Sequence, residues 1–138
     1  MALTVLDAGV VIAILDGSDV HNGAATSAVA VAMGRGDDLA LPASAYAEVL
    51  VAPHRRGPDA VSTVDAFLDA LPAAIEPATR AITARAAGLR AQRGTSLRLP
   101  DALVIATALA LGADRVITTD GRWPSLPLRV EVVGSPAG

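Results

Sequence analysis

The 138-residue chain is 52% hydrophobic and carries a formal net charge of −3; it contains no cysteine, and all 11 of its Lys and Arg positions are arginine. The missing cysteine excludes disulfides, thiolate nucleophiles and zinc–sulfur sites, and the missing lysine excludes P-loop phosphate binding and Schiff-base chemistry. The length predicts one domain over residues 1–138, and no apolar run reaches the roughly 18 residues of a membrane span.

The N-terminal segment does not have the pattern of a secretory signal. It lacks a basic region, and Asp7 and Asp16 interrupt its apolar stretch. We therefore expect a soluble protein that is located in the cytoplasm and does not enter a membrane.

Short strands and helices alternate in the first half of the chain. The predicted elements are a strand over 4–6, a helix over 8–15, a helix over 22–33, a strand over 39–41 and a helix over 43–51. The first strand ends at Asp7. His21–Asn22 begins the second helix, with Asn22 as its better N-cap, and Pro53 stops the third helix.

The alternation continues in the second half. The predicted elements are a helix over 59–71, a strand over 74–76, a helix over 78–93, a buried helix over about 99–111, a strand over 116–117 and a strand over 129–133. Pro100 suits the first turn of the buried helix, and Gly112 ends it. Residues 134–138 are expected to form a loose tail.

The predicted helix over 59–71 has one apolar face, which consists of Val61, Val64, Leu68 and Leu71. This face either packs in the core or contacts a partner helix. The surplus of apolar residues in so short a chain also indicates that a partner covers part of the surface.

The order of elements predicts an α/β domain, with a short parallel sheet flanked by helices on both faces. The chain shows no internal repeat, no low-complexity linker and no second domain. Its 30 alanines and few aromatic residues favour thin, closely packed layers.

Four acidic residues stand out by their context, namely Asp7, Glu48, Asp101 and Asp120. Glu48 is one of only three glutamates and lies in an apolar helix; Ser44 is four residues before it, whereas a capping box needs three. The aspartates also have structural interpretations. Asp7 and Asp120 could each begin a turn after a strand, and Asp101 could be an ordinary charge in the first turn of a helix.

The predicted fold brings these acids together. Residues that follow parallel strands emerge at the same edge of the sheet as the N-termini of the next helices. Carboxylates crowded at one edge repel each other unless a cation lies between them, and hard oxygen ligands suit Mg²⁺ or Mn²⁺. Such ions activate water for attack on a phosphodiester. Omitting the four acids changes the net charge of −3 to +1, so the chain owes its acidity mainly to this candidate site.

The same residues give the chain its resemblance to a known family. VLD at 5–7, AYAEVL around Glu48 and LPDALVIATALALGADRVITTD at 99–120 resemble, in order and spacing, the motifs of PIN-domain nucleases, and within them the VapC-type toxins of bacterial toxin–antitoxin pairs. The resemblance covers nearly the whole domain and implies a PIN-like three-layer α/β fold. It also implies an endoribonuclease that depends on Mg²⁺ or Mn²⁺, a cognate antitoxin that blocks the site, and a homodimer.

Carried over residue by residue, the resemblance makes the four acids the catalytic, metal-site residues and Thr118 a supporting hydroxyl. One departure concerns the residues after Asp7. The family usually has Thr or Ser and then Ser or Asn there, whereas this chain has Ala8 and Gly9. Such polar groups orient the carboxylate, and their loss weakens metal binding roughly 10–100-fold. Either activity is weak, or Thr118 or a water compensates.

The arginines suggest where a nucleic acid would lie. Five of them fall in a segment without acidic residues, at Arg80, Arg85, Arg90, Arg93 and Arg98. They form either a phosphate-binding flank or an ordinary solvated helix, since their helical phases scatter. Only Tyr46, Phe67 and Trp123 are aromatic, so a broad base-stacking platform is not expected.

Three functional hypotheses follow from these residues. The first is a metal-dependent endoribonuclease toxin that cleaves a specific cellular RNA, whether tRNA, rRNA or mRNA. The second is a binding module of the same fold that binds RNA or antitoxin without cutting, because the change at Ala8 and Gly9 has weakened catalysis. The third is a metal-dependent DNase, since no residue in the sequence reads a 2′-hydroxyl.

Overall fold

The computed structural model describes residues 1–134. Residues 135–138, most of the predicted loose tail, lie outside the described part of the chain. The strands are β1 (Leu3–Leu6), β2 (Asp38–Pro42), β3 (Ala73–Glu76), β4 (Arg115–Thr118) and β5 (Arg129–Val132). The α-helices are α1 (Ala8–Leu15), α2 (Asn22–Gly34), α3 (Ala43–Arg56), α4 (Pro58–Ala70), α5 (Arg80–Arg93) and α6 (Leu99–Ala110), and a 3-10 turn spans Gly94–Ser96.

The five strands form one parallel sheet in the order β3-β2-β1-β4-β5. In the central strand β1, the side chains of Thr4, Val5 and Leu6 are all fully buried. Because successive side chains in a strand point to opposite faces, both faces of the sheet are covered. The predicted α/β fold, with a parallel sheet between helical layers, is confirmed.

The strand order creates a crevice between β1 and β4. The chain adds β2 and β3 on one side of β1, then crosses back and adds β4 and β5 on the other side. Open parallel sheets bind ligands where the direction reverses in this way, beyond the carboxyl ends of the two strands. Asp7 follows β1 at this point, and its backbone N–H donates to the carbonyl of Ile117 in β4 over 3.0 Å.

Helix α6 is buried, as predicted. Pro100 lies in its first turn, where a missing N–H costs nothing, and Gly112 just beyond its end has a φ of 63°. One side of α6 contributes Val104 and Ala108 to the main core; the other packs Ile105 against Ile82 and Ala86 of α5. This two-sided packing fixes the position of the N-terminus of α6.

The prediction that Pro53 stops the third helix is wrong. Helix α3 continues to Arg56 with Pro53 buried inside it. Proline cannot donate to the carbonyl four residues earlier, so one helical hydrogen bond is lost. The backbone bonds resume directly afterwards, with the Gly57 N–H donating to the Pro53 carbonyl over 3.0 Å. Gly57 ends the helix with a φ of 124°.

Asn22 is not the N-cap of α2; that position belongs to His21, which makes no side-chain capping bond. The Asn22 amide instead donates to the carbonyls of Ala13 and Ile14, at 2.8 and 3.1 Å. It therefore provides hydrogen-bond donors for two carbonyl groups at the C-terminal end of α1. Helix α5 also begins later than expected, at Arg80, because Thr79 accepts from the Ile82 N–H and caps it.

The apolar face of α4 packs in the core. Val64 and Leu68 are buried there, and Val61 and Leu71 are half-buried. Of the two interpretations of this face, core packing is confirmed. Within residues 1–134, no helix combines the length and the apolar content that crossing a membrane requires.

A polar cluster closes the other end of the sheet. Asp37 accepts hydrogen bonds from the Thr4 hydroxyl and from Arg35, both over 2.9 Å, and the Arg115 guanidinium lies 4.0 Å away. The hydrogen bond from Arg35 holds the pKa of Asp37 below its ordinary value, and the bond from Thr4 adds to this effect. Burial of the Asp37 carboxylate opposes the shift without reversing it. This cluster joins β1 and β4 at the end opposite the crevice.

Candidate active site

An open cleft of about 470 Å³ lies at the crevice between β1 and β4. All four acids singled out in the sequence line it, namely Asp7, Glu48, Asp101 and Asp120. They come from three kinds of position: the ends of β1 and β4, the first turn of α6, and the second turn of α3. The fold thus brings together residues that are up to 113 positions apart in the sequence.

Asp7 is the most tightly held of the four. It is the N-cap of α1, and its Oδ1 accepts from the Ala8 N–H over 2.9 Å. Its Oδ2 accepts from the Thr118 hydroxyl over 2.7 Å, and the Thr118 oxygen in turn accepts from the Asp120 N–H over 3.1 Å. Through these two hydrogen bonds the fully buried Thr118 links the ends of the two strands that carry Asp7 and Asp120.

The charge on Asp7 is energetically unfavourable in the metal-free protein. Burial raises its pKa from 3.8 to about 6, the hydrogen bond from Thr118 partly opposes this shift, and the charges of Asp101 and Glu48 add to it. These effects mean that the three carboxylates are close enough to repel one another. A buried, like-charged group of this kind is typical of functional sites.

Glu48 and Asp101 show the same pattern. Glu48 lies on the wall of the cleft with much of its surface exposed to solvent. The part of it that is buried, and next the charge of Asp101, raise its pKa. Asp101 is only 8% exposed; burial raises its pKa, Arg98 lowers it, and the charge of Asp120 raises it further. The Glu48 carboxylate therefore lies on the same side as Asp101, at the cleft that the sequence predicted.

Two arginines pair with the acids at the mouth of the cleft. Arg122 Nε lies 3.1 Å from Asp120 Oδ1, and Arg98 Nε lies 3.6 Å from Asp101 Oδ2. Partial burial raises the pKa of Asp120, but the hydrogen bonds from Arg122 outweigh this effect and hold the pKa below its ordinary value. The side chains of Arg122 and Arg98 are 85% and 71% exposed, so both arginines can move.

No metal-binding arrangement is preformed within residues 1–134: no three His, Cys, Asp or Glu side chains are grouped as a cation would require. The donor set itself fits a hard divalent cation, because four carboxylates line one cleft and three of them have raised pKa values. Asp101 and Asp120 are turned towards arginines instead. Binding a cation here would require these two side chains to exchange partners.

The sequence did not identify Thr119 or Arg122 as residues of the cleft, and it gave Gly9 and Trp123 no place in it. Gly9 and Thr119 line it together, and Arg122 forms part of its mouth. Within residues 1–134, the Trp123 indole N–H is buried beside Asp101 without a hydrogen bond of normal geometry. Trp123 also lines a neighbouring cleft of about 300 Å³, which shares Arg98 and Arg122 with the first. No periodicity marks these positions, since each depends on contacts between distant segments.

The model of the PIN domain family matches residues 4–127 of the chain. No curated protein sequence is significantly similar to it. Among solved structures, the VapBC2 complex of Rickettsia felis bound to a DNA fragment from its promoter contains a chain that superposes with a TM-score of 0.76 at 18% identity, covering 95% of this chain and 98% of that one.

Two further solved structures are similar. VapC20 of Mycobacterium tuberculosis, a toxin that cleaves the sarcin–ricin loop, has a TM-score of 0.67 at 16% identity, covering 82% of this chain and 86% of that one. FitAcB of Neisseria gonorrhoeae has a TM-score of 0.71 at 19% identity, covering 94% and 96%. At such identities the likeness shows a shared fold.

Proposed function

The chain belongs to the PIN domain family, and from this premise we propose that it is a Mg²⁺- or Mn²⁺-dependent endoribonuclease toxin that a cognate antitoxin inhibits. The observation that carries the proposal is the convergence of four carboxylates on one cleft at the reversal point of the sheet. Carboxylates grouped in this way bind the metal ions that catalyse the hydrolysis of phosphodiester bonds.

Asp7, Glu48, Asp101 and Asp120 would hold the cation. When bound, it would supply an activated water and offset the negative charge that develops on the phosphate. The Ala8 N–H and the Thr118 hydroxyl fix both oxygens of Asp7, so this carboxylate needs no reorientation. Asp101 and Asp120 would turn from their arginines towards the cation.

Arg98 and Arg122 would contact the RNA. They stand at the mouth of the cleft, are largely exposed and also line the neighbouring cleft beside Trp123. Once Asp101 and Asp120 turn inwards, both guanidiniums become available for backbone phosphates, which arginine binds through paired hydrogen bonds. RNA recognition would then depend mainly on shape and backbone contacts.

The alternative is a PIN-like module that binds RNA or antitoxin without cutting. The absence of a preformed metal arrangement within residues 1–134 favours it. The support of Asp7 by Thr118 and Ala8 argues against it, because the first carboxylate is oriented although Ala8 and Gly9 carry no polar side chain. Catalysis therefore has to be tested directly.

The test is an RNA cleavage assay with the purified chain in Mn²⁺ or Mg²⁺. We expect cleavage that EDTA and Asp7→Asn each abolish. Asp69→Asn is the matched control, because Asp69 is an exposed aspartate on α4 outside the cleft; this variant should cleave like the wild type. Cleavage that survives both EDTA and Asp7→Asn would assign the activity to a contaminant. A parallel assay on DNA separates a ribonuclease from a DNase.

The partners in this proposal are an antitoxin and a second copy of the chain, in the cytoplasm. An apolar pocket of about 160 Å³ between α1, α2 and α4, lined by Ile14, Val29, Met33, Phe67 and Leu71 among others, supports a protein partner. Val31 and Met33 nearby are 55% and 42% exposed. Light scattering of the chain alone and with the product of an adjacent small reading frame would show a homodimer and a heteromeric complex, respectively.

A further inference from the structure

We propose that Thr119 is a positioning residue of the acidic cleft, and that its hydroxyl occupies the space that a side chain at position 9 would fill and supports the cation site from there. This inference rests on the proposed metal-dependent function. It concerns a residue that the sequence motifs do not single out, and it explains how the chain accommodates a glycine two positions after its first carboxylate.

The geometry shows that positions 9 and 119 share one space. A Cβ atom built on Gly9 would lie 2.5 Å from Thr119 Oγ1, 3.7 Å from Thr119 Cβ and 3.8 Å from Thr119 Cγ2. The first distance is shorter than any contact that a real Cβ atom makes. A side chain at position 9 and the present rotamer of Thr119 therefore exclude each other.

Gly9 differs in this respect from other helical glycines in the chain. A Cβ at Gly23 of α2 or Gly88 of α5 would meet nothing within 4 Å. Glycine inside a helix is unfavourable relative to alanine, and a close approach of another group is one reason to retain it. At position 9 that group is a hydroxyl on the wall of the candidate active site.

The hydroxyl of Thr119 has a different task from that of Thr118. The Thr118 oxygen is already engaged by Asp7 and by the Asp120 N–H, behind the wall of the cleft. Thr119 lines the cleft itself. It directly precedes Asp120 in the chain, and its hydroxyl lies beside Gly9, which is two positions after Asp7. From this wall of the cleft, the Thr119 hydroxyl would hydrogen-bond water or a carboxylate oxygen once a cation is bound.

Loss of such a supporting group typically weakens metal binding about 10–100-fold. We therefore expect Thr119→Val, which keeps the shape of the side chain and removes the hydroxyl, to weaken Mn²⁺ binding in calorimetry by about tenfold or more. The melting temperature of the metal-free protein should stay the same. Thr119→Ser should retain the wild-type affinity. Thr63→Val, on the exposed side of α4, is the matched control and should bind Mn²⁺ like the wild type.

An exchange of the two positions tests the shared space. Gly9→Ser should lower both the melting temperature and the Mn²⁺ affinity, because the serine side chain and the Thr119 hydroxyl displace each other and neither hydroxyl is then held in place at the cation site. Adding Thr119→Ala removes the clash, so the double variant Gly9→Ser/Thr119→Ala should recover both properties with the hydroxyl supplied from position 9.

Two results would overturn the inference. One is a Thr119→Val protein that binds Mn²⁺ as tightly as the wild type; the other is a Gly9→Ser protein whose defects the second substitution does not relieve. If the wild type itself neither binds Mn²⁺ nor cleaves RNA, the proposed function fails and the role of the hydroxyl at a cation fails with it. The melting temperatures of the exchange series still decide whether positions 9 and 119 compete for one space.

Discussion

Replacing Asp7 by asparagine should stabilise the metal-free protein while removing its response to metal. The pKa of Asp7 is raised from 3.8 to about 6, chiefly by burial, so the folded protein prefers the protonated form. Above the folded pKa the carboxylate is ionised in both states, and its burial opposes folding. A difference of about 2 pKa units at about 1.36 kcal/mol each gives a cost of about 3 kcal/mol near neutral pH.

Asparagine removes the charge and fills the same space. It cannot accept hydrogen bonds from both the Ala8 N–H and the Thr118 hydroxyl as the carboxylate does, which costs about 1 kcal/mol. The net gain of about 2 kcal/mol corresponds to a melting temperature raised by roughly 4–8 °C in a domain of this size.

The assay is thermal unfolding of the wild type and Asp7→Asn in EDTA, near pH 7 and near pH 4. The gain should be present near pH 7 and should shrink as the pH falls through the folded pKa towards the unfolded value, because the wild-type carboxylate then becomes neutral in the folded state. Adding Mn²⁺ should raise the melting temperature of the wild type alone. An Asp7→Asn protein that melts below the wild type near pH 7 without metal would refute this reasoning.

Three further predictions concern the groups around the acids. Thr118→Val should cost about 1.5–3 kcal/mol of stability near neutral pH, because it removes a buried hydrogen bond to an ionised carboxylate, and should weaken Mn²⁺ binding in calorimetry. Arg122→Ala should tighten Mn²⁺ binding by up to about fivefold, since Asp120 no longer has to leave an exposed ion pair, and should weaken RNA binding in a filter assay. Asp37→Asn should destabilise the protein more near pH 7 than near pH 3. The lowered pKa of Asp37 gives stability that is fully present above the pKa of the unfolded state and is lost as the pH falls through the pKa of the folded state; urea unfolding at both pH values would show a constant difference if this is wrong.

The local signals in the sequence were sufficient where one residue determines its own backbone. Pro100 and Gly112 delimit α6 as predicted, because each restricts or permits particular φ values whatever the surroundings. The parallel sheet followed from the alternation of strands and helices. The convergence of Asp7 and Asp120 on one edge then followed from the topology, since they come one and two residues after the ends of parallel strands.

The features that the sequence did not reveal depend on contacts between distant segments. Pro53 stays inside α3 because tertiary burial outweighs one missing hydrogen bond. The Asn22 amide bonds to carbonyls at the end of α1 rather than capping its own helix. The contact between Gly9 and Thr119 joins positions 110 residues apart. Each of these required the packing of whole elements, which periodicity does not encode.

Calorimetric titration of the full chain with Mn²⁺ near neutral pH tests the central claim most directly, because it asks whether the acids at this cleft take up a cation without assuming any substrate. We expect saturable binding to the wild type that disappears in Asp7→Asn and persists in Asp69→Asn. Absence of binding to the wild type at millimolar Mn²⁺, or equal binding to Asp7→Asn, would contradict it.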